Sequence, residues 1–176
     1  MYKPPYWFYD NIKVSDTSIE KLRENLSEFE LTDNHRTSFH IENQEIYPTS
    51  FINEQYNMIV EGIVESVGMF HKSTYTYKFW SQYYEKGDYI GEHNHTPSDI
   101  SWVHFLDVPK KKCFRFTDTT GNTLVPDEQN SGDIICFPSW VWHETIPTDD
   151  ARHPNKKEHK WMANKLYQFI GDKYGF

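Results

Sequence analysis

Three histidines carry the chemistry open to this sequence. His93 and His95 follow the run Gly87-Asp88-Tyr89-Ile90-Gly91-Glu92, and His143 closes the segment Gly132-Asp133-Ile134-Ile135-Cys136-Phe137-Pro138-Ser139-Trp140-Val141-Trp142. Alternate side chains of a β-strand share a face, so His93 and His95 can aim at one point. His143 must reach that point from another strand. Three protein ligands leave coordination positions free for substrate or oxygen, which a catalytic metal site requires and a closed structural site does not. An H-x-H pair alone is common. Followed by a G-D-apolar run ending in P-x-x-x-x-H, it is a more specific pattern. The competing reading is a solvent-facing strand carrying ordinary polar residues.

The elements that must hold these side chains read mainly as strands. The segment from Thr74 to Tyr84 is rich in aromatic and β-branched residues. Further strands are expected at 88–95, 100–107, 113–117, 133–138 and 161–169. Turn signals separate them at Lys86-Gly87-Asp88, Thr96-Pro97-Ser98, Thr120-Gly121-Asn122 and Ser131-Gly132-Asp133. Many short strands with regular turns imply a closed or double-sheet β architecture. Ahead of them, residues 1–15 read as an extended arm. Two helices are expected next. Thr17, with Glu20 three residues on, suits a capping box for a first helix through Ile19, Leu22, Leu26 and Phe29. The second begins near Ser50, with the stripe Ile52, Tyr56, Ile59, Val60, Ile63, Val64 and Val67 and with Gly68 near its end. The expected layout is one domain over 1–176, with a helical part over about 1–72 and a barrel over about 73–170, the helices packed on the outside of one sheet.

Composition narrows the function. Phe, Tyr and Trp make up 17% of the 176 residues, which favours strands and a flat-walled pocket. A net charge of -8 at pH 7 disfavours general nucleic-acid binding through a basic face. Lys110-Lys111-Lys112 reads as a solvated loop. No apolar run approaches the ~20 residues of a membrane span, and the start shows no basic-then-apolar signal pattern. With only Cys113 and Cys136, far apart, neither a disulfide framework nor a zinc knuckle is expected, and reduced cytoplasm is the expected compartment. The glycines are scattered, with no phosphate-cradling loop.

The succession from Trp80 to Tyr89, then His93-Asn94-His95, Asp99 to Pro109, and finally Gly132 to His143, resembles the 2-oxoglutarate/Fe(II)-dependent oxygenases of bacteria and tailed phages. The resemblance covers about residues 75–170. It implies a double-stranded β-helix (jelly-roll) with Fe(II) on His93, His95 and His143. It also implies 2-oxoglutarate as co-substrate, oxidised to succinate while a substrate of unknown identity is hydroxylated. The same segments satisfy the spacing of the wider cupin superfamily, which shares the barrel and the metal position but not the chemistry. That leaves two alternatives: a three-histidine dioxygenase or isomerase without 2-oxoglutarate, and a non-catalytic metal- or ligand-binding barrel.

Two departures from the oxygenase pattern matter. The usual motif is H-x-D, and this chain has His95 where the aspartate would be. A carboxylate ligand would have to come from elsewhere; Asp99 is the best placed, ahead of Glu92 and Glu144. The resembling proteins also hold the distal carboxylate of 2-oxoglutarate with an arginine shortly after the last metal histidine, because an unpaired buried charge is costly. Spacing favours Arg152 for that role, and strand position favours Lys160. Tyr83 and Trp102 are co-substrate contacts by resemblance. Tyr89, His104, Arg115, Trp140 and Trp142 are candidates to line the substrate pocket. A homodimer is an expectation drawn from exposed strand edges alone.

Overall fold

The computed structural model describes residues 2–8, 20–21, 51–66, 75–84, 88–106, 108–109, 111–147 and 159–168, the last of these by backbone only. The described chain is mainly β, with two antiparallel sheets and one full helix. In chain order the elements are β1 (Trp7–Phe8), α1 (Phe51–Ser66), β2 (Tyr75–Tyr84), β3 (Ile100–Phe105), β4 (Phe114–Thr117), β5 (Thr123–Leu124), β6 (Ile134–Pro138), β7 (His143–Thr145) and β8 (His159–Gln168). The larger sheet runs β1-β6-β3-β8-β2 and the smaller one β5-β4-β7. No helix among the described residues is long and apolar enough to cross a membrane.

The alternation of β3 decides what each face of the large sheet does. Val103 and Phe105 join Phe114, Phe116, Ile135, Phe137 and Val141 in an apolar core between the sheets. Phe137 of the large sheet meets Phe116 and Phe114 of the small one, with ring centroids 5.2 and 6.0 Å apart. Trp102 and His104 point the other way, toward α1. There Tyr56 packs on Phe79 at 4.8 Å and Trp102 at 5.6 Å, and Ile59, Val60 and Ile63 are buried with it. The apolar stripe of the helix therefore covers the outer face of the sheet, as its spacing demands.

Only Glu20 and Lys21 of the first expected helix are described, and they are helical. Its cap at Thr17 lies outside the described residues. The amino-terminal arm contributes more than an extension. Trp7 and Phe8 pair with Cys136 and Ile135, so this segment forms the edge of the large sheet. Tyr6 packs on Phe116 with ring centroids 5.2 Å apart, and the Tyr2 hydroxyl donates to the Thr117 carbonyl at 2.6 Å. The start of the arm thus belongs to the large sheet.

Two turns need their glycines. Gly121 and Gly132 have φ of 83° and 93°, the left-handed region that costs other residues a Cβ clash. At the first of these, the Asp118 carboxylate accepts from the amides of Thr120 and Asn122, both at 2.9 Å. The bond from the Asn122 side chain, then that from the Thr120 hydroxyl, with these backbone bonds, hold its carboxyl down at about 2.

Candidate metal centre

The expected strand at 88–95 is not a regular ladder. Ile90 pairs with Thr145, His93 with His143, and the His95 amide donates to the Ser139 carbonyl. The register slips between each pair of contacts, so the segment bends as it crosses the edge of the small sheet. That bend brings His93 and His95 round to His143. His143 lies on the inward row of β7, beside Phe116 of β4, and its ring sits 4.8 Å from Phe137 and 5.5 Å from Phe114.

The three imidazoles form a compact triangle. Ring centroids are 4.3 Å apart for His93 and His143, and 5.0 Å for each of the other two pairs. One potential ligand nitrogen from each ring lies within 4.8 Å of the other two. His95 and His143 are buried, and His93 is half-buried on the open side.

Their protonation suits a metal. The Nδ1 atoms of His93 and His143 lie 2.8 and 3.1 Å from the Gly91 and Val141 carbonyls. A carbonyl can only accept, so each Nδ1 carries a proton, and in the neutral ring Nε2 then keeps its lone pair. This is the arrangement by which a backbone carbonyl orients a ligating histidine. Burial, then the neighbouring His93, pushes the His143 imidazole down to about 3. A neutral ring is the form a metal binds. Trp80, buried on the interior row of β2, meets the His95 ring edge-on at 5.7 Å.

The other expected site residues are placed as follows. No carboxylate joins the cluster among the described residues. Asp99 is exposed. Glu144 and Arg115 pair on the outward row of the small sheet at 2.7 Å, which takes Arg115 out of the pocket. Glu92 accepts from Thr117 at 3.2 Å. Trp102, expected as a co-substrate contact, and His104, expected to line the pocket, lie beneath α1 on the face of β3 away from the histidines. Tyr89, Trp140 and Trp142 are exposed, with Trp140 at 58%. Arg152 lies outside the described residues.

For Lys160 and Tyr83 the backbone register is informative. They pair with each other, in the alternate set that also holds Met162, the partner of His104. Ser101 pairs with Lys165, which pairs in turn with Lys78. Ser101, Val103 and Phe105 are the inward residues of β3, so the strand lysine in the interior row is Lys165. Sequence reasoning missed it because choosing between the two lysines needs the strand pairing. It also missed Gln82 and Tyr84, the buried interior neighbours of Tyr83. The Tyr84 hydroxyl donates to Gln82 Oε1 at 2.6 Å, and burial holds the phenol protonated.

No family model matches the chain, and no curated protein matches it. Among solved structures, the chain is similar to the viral collagen prolyl hydroxylase of Paramecium Bursaria Chlorella virus-1, solved as a 2OG complex. The identity is 14% and the TM-score 0.62, over 92% of this chain and 94% of that one. It is similar also to a prolyl 4-hydroxylase from Phytophthora capsici, at 8% identity and a TM-score of 0.58, over 86% of this chain and 53% of the other. The chain shares the fold of these two hydroxylase structures. A Pseudomonas putida prolyl-4-hydroxylase matches at 15% identity and a TM-score of 0.49, over 68% of this chain. This chain spans 66% of the Pseudomonas protein's length and about half that of the Phytophthora one. At these identities the likeness is one of fold, and the chemistry has to be argued from the site.

Proposed function

We propose that this chain is a non-haem Fe(II), 2-oxoglutarate-dependent oxygenase built on a double-stranded β-helix. The observation that carries the proposal is the convergence of three imidazoles, one ligand nitrogen of each within 4.8 Å of the other two. His93, His95 and His143 would hold the iron. When bound, iron with 2-oxoglutarate couples oxidative decarboxylation of the keto acid to hydroxylation of a substrate C–H bond.

The protein's own part is positioning and exclusion of water. The Gly91 and Val141 carbonyls fix two of the three rings. Phe114, Phe137 and Trp80 wall the histidines with apolar surface on the inner side. The half-buried edge at His93 is the side from which a substrate can approach. Lys165 is the candidate to meet the distal carboxylate of the co-substrate, in place of Lys160, because its register matches that of Ser101.

An anaerobic titration of the iron-loaded protein with 2-oxoglutarate tests this reading. A visible metal-to-ligand charge-transfer band, followed in air by succinate release coupled to oxygen uptake, is the expected result. Lys165→Ala should weaken the 2-oxoglutarate dependence of the band, while Lys160→Ala should leave it near that of the parent. That no carboxylate among the described residues joins the cluster favours one second reading, a three-histidine cupin-type dioxygenase or isomerase. On that reading iron binds but neither band nor succinate appears.

A further inference from the structure

The metal ligands come from two chain segments, so something must fix the distance between them. One junction is the reciprocal pair of backbone bonds between His93 and His143, each 3.0 Å, continued by the bonds between Ile90 and Thr145. The other is Ser139. Its carbonyl accepts from the His95 amide at 2.8 Å, and its own amide donates to the Asp99 carbonyl at 2.9 Å. Its hydroxyl lies 2.7 Å from that of Ser101 on β3, and both residues are fully buried. Ser139 thus grips the His95–Asp99 turn from within and ties it to the large sheet. It also starts the turn that delivers His143, closed by the Val141 amide on the Pro138 carbonyl at 2.9 Å. Trp140 and Trp142 in that turn face solvent, and Val141 is held by apolar packing, which has no direction. The serine pair supplies a directional side-chain bond at this turn.

We infer that Ser139, through its hydroxyl bond to Ser101, is a positioning residue of the metal centre, setting His95 against His143. The inference rests on the three-histidine metal reading. It implies that loss of the hydroxyl pair weakens metal binding even where the fold is intact. The removal of both hydroxyls separates the two effects. Ser139→Ala or Ser101→Ala alone strands one buried hydroxyl and lowers stability. Removing both partners leaves nothing unsatisfied and costs far less.

The experiment compares the parent, the two single variants and the Ser101→Ala/Ser139→Ala double variant. Co(II) serves as the probe, its affinity read against a chelator and its coordination from the visible spectrum, with melting of the metal-free protein measured alongside. The expected result is that the double variant melts close to the parent yet binds Co(II) about 10–100-fold more weakly, the usual effect of losing a residue that supports a ligand. Its Co(II) spectrum should also be altered. A double variant with parental affinity and spectrum overturns the inference and leaves the metal reading standing. A parent that binds no Co(II) removes both.

Discussion

At the scale of single residues, the site depends on which nitrogen of each imidazole is free. In His93 and His143 a carbonyl two residues back accepts from Nδ1–H, so in the neutral ring the fold has chosen the tautomer before any metal arrives. Replacement of His143 by Ala should therefore reduce Co(II) or Fe(II) affinity by more than the about 10–100-fold expected of a supporting residue, measured by chelator competition. His104 makes a different use of the same side chain. It is fully buried under α1, its Nδ1 lies 3.0 Å from the Tyr56 hydroxyl, and its Nε2 has no hydrogen-bond partner among the described residues. Burial pushes its imidazole from 6.5 down to about 3. Below 6.5 the unfolded chain takes up a proton that the folded chain refuses, so stability falls with pH until about 3. The slope from this one group approaches about 1.4 kcal/mol per pH unit. Urea denaturation of metal-free protein between about pH 6.5 and 5 should show that loss. A Tyr56→Phe/His104→Leu variant should lose about that much less over the same range.

At the scale of elements, β4 is flanked on one side by β7 and on the other only briefly by β5. A side chain completes the ladder. Gln129 Oε1 accepts from the amides of Cys113 and Phe114 at 3.0 and 2.9 Å, and its Nε2 donates to the Phe114 and Pro126 carbonyls, both at 2.9 Å. Gln129 behaves as one extra strand residue. Gln129→Leu keeps much of the volume but strands buried backbone groups at about 1–3 kcal/mol each, so a total loss of about 3 kcal/mol or more is expected in urea denaturation. Because Phe114 also packs on His143, metal affinity should fall in the same variant.

At the scale of the whole molecule, the histidine cluster joins residues of both chain segments beside the core between the sheets, so a metal bound there would couple to folding. Free metal at about 100 times its dissociation constant should add about 2.7 kcal/mol of stability. For a chain of this length that is a rise of about 5–10 °C in melting temperature. Differential scanning calorimetry with and without Mn(II) reads it directly, and the increment should vanish in His143→Ala. If 2-oxoglutarate binds the metal-loaded site, it should add a second increment only when metal is present.

The sequence by itself determined the histidine triad, the strand-rich texture, the apolar stripe of α1 and the turns at Gly121 and Gly132. Each of these follows from local chemistry: residue spacing, side-chain shape or a positive φ. Pairing decided the rest. Whether Trp102 and His104 see the metal or the helix depends on the parity of β3, which is set by partners distant in the chain. The choice between Lys160 and Lys165 depends on the register of β8 against β3, and the fate of Arg115 on the strand beside it. Ser139 looks inert in a one-dimensional reading. It acquires a role only because the fold inserts it between His95 and Asp99 and sets its hydroxyl against Ser101. A slip of one residue in a strand exchanges its two faces, and no local signal carries that choice.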